Sequence, residues 1–213
     1  MSTPDVTLAL PGRWWRIVLH DPQAAQRSVR AYVNELAGRR DDLAQSRAEL
    51  RADLDEAVAE ARRIGGLSMY MSSEVAPGVP TSISLTTYKP ELPVQVSMLT
   101  SAAVAADALA ASLRSTAPGD AVEVWAEDGL GVVRSVDRSH LTSESGDQAA
   151  TLRVDYWLLR DGDPDTRLLT FSSPVIWEDL ADALVVLFDA IVATVEMPGI
   201  PEAIDGDLSP STP

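Results

Sequence analysis

Residues 13–19 read Arg-Trp-Trp-Arg-Ile-Val-Leu and alternate as a strand. Successive strand side chains point to opposite faces. Trp14, Arg16 and Val18 therefore share one face, and Trp15, Ile17 and Leu19 share the other. Both faces are apolar, so the strand needs cover on both sides, which an open sheet with one wet face does not give. The adjacent tryptophans thus predict three layers, with one ring under a C-terminal helix and the other under a helix on the opposite side.

Asp5 to Leu10 alternate in the same way and predict another strand, followed by the turn pair Pro11-Gly12. Asp21-Pro22 predicts a helix start, with Asp as N-cap and Pro at the first helical position. Gly38-Arg39-Arg40 reads as a break. A second helix is expected from Asp41 to Ile64, with Leu43, Leu50, Leu54, Val58, Ala61 and Ile64 on one narrow stripe. Gly65-Gly66 ends it. Strands are expected over 67–72, 82–88 and 94–99, and an Ala-rich helix over 100–115. Asp128-Gly129 joins 121–127 to 131–137 as a hairpin. A polar loop is expected over 139–148 and a second hairpin between 150–160 and 167–172. Ser173-Pro174 then predicts the start of a long helix that Pro198 ends.

Hairpin-linked strands with helices gathered at three points predict an α+β fold, a mostly antiparallel twisted sheet with helices on both faces. Residues 1–197 are expected to form a single α/β/α-sandwich domain. Residues 198–213, acidic and Pro-rich, are expected to be a disordered tail.

Composition removes several functions. The chain has no cysteine, which excludes disulfides, thiolate chemistry and Cys-based metal sites. Its formal net charge is -15, from 32 acids and 17 bases. Such a surface repels phosphate backbones and anionic membranes, so neither nucleic acid nor membrane is an expected partner. Met1-Ser2-Thr3-Pro4-Asp5 has no basic region followed by an apolar run, so no secretory signal is expected and the cytoplasm is the expected location. Lys89 is the only lysine, which with the many alanines points to GC-rich coding of the actinobacterial kind.

Three stretches carry a family resemblance: Leu10-Pro11-Gly12-Arg13-Trp14 with the strand after it, Leu168 to Ser172 running through Ser173-Pro174, and Leu187 to Val195. Together they resemble the PsbP-like α/β/α-sandwich superfamily, which includes LpqN-like actinobacterial lipoproteins and a Ran-binding nuclear import factor. The matched stretches cover about a quarter of the chain, at its two ends. The chain departs from the lipoprotein branch in that no signal peptide is expected and the sequence holds no lipobox cysteine. The resemblance implies an α/β/α sandwich and a protein that binds partners. It transfers no site residue.

Candidate chemistry is sparse. His20-Asp21 at a strand-to-helix junction has no third ligand nearby in sequence, so capping is the expected role. His140 is expected in a solvated loop. Gly66-Leu67-Ser68-Met69-Tyr70 lacks the last glycine of a nucleophile elbow and lies in an expected strand. Asp161, Asp163 and Asp165 alternate as in a calcium loop, but Pro164 intervenes and the downstream ligands are absent. No catalytic residue, cofactor or metal site is therefore expected. Trp125, Trp157 and Trp177 are expected in the core, and any small-molecule pocket is expected at a sheet–helix edge near these rings.

What remains is a possible partner surface, Arg13, Trp14 and Arg16 on the first strands and Leu43, Leu50 and Leu54 on the second helix. The leading expectation is a non-enzymatic cytoplasmic accessory or adaptor protein that binds another protein or a second copy of itself. The alternatives are a ligand-binding protein or enzyme with a pocket between the sheet and the long helices, and an accessory component of an actinobacterial export system.

Overall fold

A computed structural model describes residues 6–37, 44–117, 121–142, 148–163, 165–175 and 178–197. It contains one 8-stranded sheet in which every pairing is antiparallel. The strands are β1 (Arg13–Val18), β2 (Gly66–Ala76), β3 (Val79–Pro80), β4 (Ser84–Tyr88), β5 (Ala121–Glu127), β6 (Leu130–Thr142), β7 (Gln148–Arg160) and β8 (Arg167–Val175). Across the sheet they run β1-β2-β4-β8-β7-β6-β5, with the two-residue β3 hung on β2. The helices are α1 (Pro22–Ala37), α2 (Ala44–Arg63), α3 (Val94–Ser97), α4 (Ala102–Thr116) and α5 (Glu178–Val192). The fold is α+β, with helices on both faces.

The two tryptophans part as the alternation predicts. Trp14 packs into the cluster that holds Phe188 of α5, and its Nε1 donates to the Pro11 carbonyl at 2.6 Å. Trp15 packs on the opposite side with α1 and α2, its ring 6.3 Å from that of Tyr32. Asp21 caps α1: its Oδ1 accepts from the amides of Gln23 and Ala24 at 2.9 and 3.0 Å. These bonds, that of Ala24 foremost, hold the carboxyl below its ordinary range. In the β5–β6 turn, Asp128 and Gly129 both have positive φ, 49° and 76°, as a two-residue hairpin turn of this hand requires.

Four expectations are corrected. Residues 6–10 form an extended segment with a single bridge, Thr7 to Glu196, not a strand; their alternation places Val6, Leu8 and Leu10 against the core beside the end of α5. The stretch around Val94 is the short helix α3, whose Val96 and Ser97 amides bond back to the Pro93 carbonyl. The polar loop is shorter than expected, because β6 runs to Thr142 and β7 begins at Gln148; His140 thus lies on a strand. Ser173-Pro174 belongs to β8 and does not open a helix. Pairing with β4 stops at Ser172, so Pro174 faces a partner only on the β7 side, where a proline is tolerated. The expected break at 38–40 and the tail at 198–213 lie outside the described residues.

Cover is unequal on the two faces. On one face α1 and α2 lie over β1 and β2, while α3 and α4 lie over β5, β6 and β7. α4 seats tightly: a Cβ on Gly131 of β6 would stand 2.4 Å from the Ala102 carbonyl oxygen, so only glycine allows this approach. Asp161, in the β7–β8 turn, reaches across and accepts the Ala102 amide at 2.6 Å. On the other face α5 is the one helix among the described residues. Seven strands side by side span about 29 Å at the usual spacing, and one helix covers about 10 Å. Residues 6–10 fill the gap on the β1 side. Among the described residues the β5 side stays open.

Candidate functional site

The open strip between α5 and β5–β6 is a continuous groove. Its two halves have volumes of ≈ 500 and ≈ 670 Å³ and meet at Glu123, Arg134 and Asp189. Strand alternation builds one wall: on β5, Glu123, Trp125 and Glu127 point into the groove, while Val122 and Val124 point back to the α4 cluster. Val192, at the end of α5, and Val195, just beyond it, supply apolar surface opposite. Trp125 is 40% exposed, so its ring is an unburied aromatic wall in a polar rim.

A charged bridge spans the groove. Arg134 of β6 bonds Glu123 Oε2 at 2.7 Å and, through its other terminal nitrogen, Asp189 on α5. The Arg134 side chain is only 13% exposed. Burial alone would lower its pKa, but the bond to Asp189 and the charges of Asp189 and Glu123 outweigh this and raise it. Asp189 Oδ1 also accepts the hydroxyl of the fully buried Tyr156 at 2.7 Å. A single carboxylate thus ties a helix to two strands. It is the one charged residue in the apolar run Leu184 to Val195, and that interruption was the available sequence signal for this site.

Burial, reinforced by the bond to Asp189, pushes the Tyr156 hydroxyl far above the ordinary tyrosine range. Burial raises Tyr32 and Tyr88 as well. A raised pKa in the folded state means that the unfolded chain releases its proton first. The stabilisation is therefore complete below pH 10.0, the unperturbed value, and is lost as pH climbs above it. Tyr156→Phe is expected to cost about 1 kcal/mol at neutral pH through the lost hydrogen bond. It is also expected to flatten the alkaline decline by up to ~1.4 kcal/mol per pH unit. Denaturant melts of both proteins at roughly pH 8 and pH 11 check this; an unchanged slope would contradict it.

The opposite face holds a second polar strip where neither helical cover reaches. Thr170 donates to Asp155 at 2.6 Å, and Arg153 lies 3.0 Å from the same carboxylate. Among the described residues the other expected chemistry dissolves. Asp161 caps α4, Asp163 pairs with Arg160 at 2.8 Å, and Asp165 pairs with Lys89 at 2.5 Å, so the three acids diverge. Ser68 is buried on β2 and accepts from Arg16 at 3.1 Å. No cluster of three His, Asp or Glu residues among the described residues could hold a metal. No helix of these is long and apolar enough to cross a membrane.

The residues expected at a partner surface are not brought together. Arg13 reaches Glu35 of α1 at 3.8 Å, whereas Arg16 turns to the other face, its guanidinium 5.8 Å from the Tyr70 ring centroid. Trp14 is half-buried in the α5-side core. Leu54 is 7% exposed and packs with Val58 and Ala61 under α1, and Leu50 packs against the same cluster. The stripe on the second helix is thus occupied within the domain. Leu43 lies outside the described residues. Trp125 was expected in the core and instead lines the groove; Glu123 and Glu127 at spacing two on either side of it mark a wet face. Trp157 is half-buried against α4, as expected, and Trp177 lies outside the described residues.

No family model matches the chain, and no curated protein is similar to it. Among solved structures it is similar to the solution structure of cyanobacterial PsbP (CyanoP) from Synechocystis sp. PCC 6803. The identity is 15%, over 63% of this chain and 75% of that one, with a TM-score of 0.30. At that distance neither family nor activity follows, and the architecture rests on the sheet and its helices alone.

Proposed function

We propose that this chain is a non-catalytic accessory or adaptor protein of the cytoplasm, on a PsbP-like plan, and that the groove between α5 and β5–β6 is its partner site. One observation carries the reading. The groove presents an exposed aromatic ring and apolar walls, while its ionisable groups are already committed to one another. Asp189 serves Arg134 and Tyr156, and Arg134 serves Glu123 and Asp189. Groups matched in this way hold a fixed charge pattern around the exposed ring, which suits recognition of a partner. An exposed aromatic in a polar rim is the composition of a binding hot spot. The absence of cysteine suits a reducing compartment.

The test is affinity purification from the native cell with wild-type bait and with Trp125→Glu, after thermal melts show that both fold. Products of neighbouring genes are the first partners to examine, and components of an export system among them would support the third expectation above. The reading expects an identified protein recovered by the wild type and lost with Trp125→Glu. Equal recovery by both baits, or none by either, would overturn it. A small ligand in the same groove is a second reading, favoured by Arg134 Nε, which is buried and makes no hydrogen bond. Thermal shifts with small carboxylates check it, and an unmoved melting temperature would exclude an anion at that atom.

A further inference from the structure

The groove is bounded on its outer side by the last strand of the sheet. Among the described residues β5 pairs with β6 alone, so one edge of its backbone has no strand partner. Native edges of this kind are usually blunted by proline, charged side chains, a bulge or a covering element. β5 reads Ala-Val-Glu-Val-Trp-Ala-Glu, with neither proline nor lysine; its charges are two glutamates, which repel an acidic strand and admit a basic one. Its seven-residue register with β6, from Ala121↔Val136 to Glu127↔Leu130, is unbroken. One side-chain bond lies along it, from Arg114 to the Val122 carbonyl at 3.0 Å. Val122 and Val124 are held down by α4. Among the described residues the edge is therefore a regular template, fixed from behind by α4 and capped along its length only by the Arg114 bond.

The charge beside it is net negative, although Arg134 bridges Glu123 and Asp189 and Arg138 pairs with Asp182. Glu123, Glu127, Asp137, Asp182 and Asp189 line the groove against Arg134 and Arg138, in a chain of net charge -15. An added strand would send alternate side chains into this groove and the others toward α4. Side chains entering beside Glu127 gain from positive charge, and those meeting Trp125 gain from apolar or guanidinium surface. A second copy of this chain would bring the same acids and the same net charge to the edge.

We propose, on the reading that this groove is the partner site, that the partner docks by strand addition. An extended, cationic segment with alternating apolar residues pairs with the free edge of β5 and seats its basic side chains beside Glu127, at the end of the wall away from the Arg134 bridge. Backbone bonds supply register, and the groove selects the side chains.

The probe is a seven-residue peptide alternating arginine and valine, matched to the length of β5. Its control carries the same charge but is N-methylated at alternate amides. The wild-type protein is expected to bind the first peptide with shifted and exchange-protected amides along β5, and the methylated peptide at least ~tenfold more weakly. Binding should weaken as salt rises. Trp125→Ala and Glu127→Lys, both at exposed positions, are each expected to weaken it by about tenfold or more. Equal binding of both peptides, protection elsewhere than β5, or a dimer joined through β5 in light scattering would overturn strand addition. A native partner lost with Trp125→Glu but leaving β5 amides unprotected would end this proposal while leaving the binding-module reading intact.

Discussion

Phe188→Ala is expected to destabilise the domain by about 3–5 kcal/mol, the usual range for deleting a buried aromatic ring. Phe188 is fully buried at the centre of α5. Its ring stacks on Phe171 of β8 with centroids 4.4 Å apart and planes 16° apart. Phe171 in turn meets Tyr156 edge-on at 5.7 Å. The three rings are the only aromatic column that joins α5 to the sheet among the described residues, and α5 is the sole helix on that face. The cavity left by alanine has no second helix to close over it, so the cost should sit at the upper end. For a chain of this size that corresponds to a melting temperature lowered by about 10 °C or more. Thermal and urea melts read it directly. A loss below ~1.5 kcal/mol would show that α5 is not held by this column.

Asp189→Ala is expected to cost about 2 kcal/mol. Breaking a fully buried ion pair by removing one partner costs ~3–5 kcal/mol, and the 37% exposure of the Asp189 side chain lowers that figure. The loss has two parts, since Arg134 loses one of its two carboxylates and Tyr156 loses its acceptor. A double-mutant cycle separates them. In a Tyr156→Phe background, Asp189→Ala should cost about 1 kcal/mol less, because the hydroxyl is no longer orphaned. Asp189→Asn, which keeps an acceptor for Tyr156, should fall between wild type and alanine. Additive costs in the cycle would mean that the three residues do not act as one bridge.

Much of this architecture was legible where local chemistry decides it. The Trp14-Trp15 alternation required two covered faces, Asp21-Pro22 set a helix start, and Asp128-Gly129 set a tight hairpin. The misreadings occur where distant contacts decide. Residues 6–10 alternate like a strand because they line a core, but their neighbours are α5 and its end rather than a strand. Ser173-Pro174 has a helix-start signature, yet β7 continues beside it and holds it extended. The groove lies at a sheet–helix edge beside Trp125, where a pocket was expected, but the exposure of that ring was missed for a related reason. Whether Trp125 is buried depends on how far α5 reaches across the sheet, and nothing local to β5 encodes that distance. The signals that existed were small: a lone acid in the apolar run of α5, and two glutamates framing a tryptophan.

The seam between β4 and β8 sets an order of events in time. Ser84 pairs with Ser172, residues 88 apart in sequence, while β5 to β8 join by short connections as a meander. Closing so long a loop costs far more chain entropy than zipping neighbouring hairpins. During synthesis the first-made strands β1, β2 and β4 must therefore wait, with β4 unpaired on one side, until nearly the whole chain has emerged. β8 is the keystone that joins the two halves, and the window before it arrives is when a chaperone or a wrong strand would find β4 open.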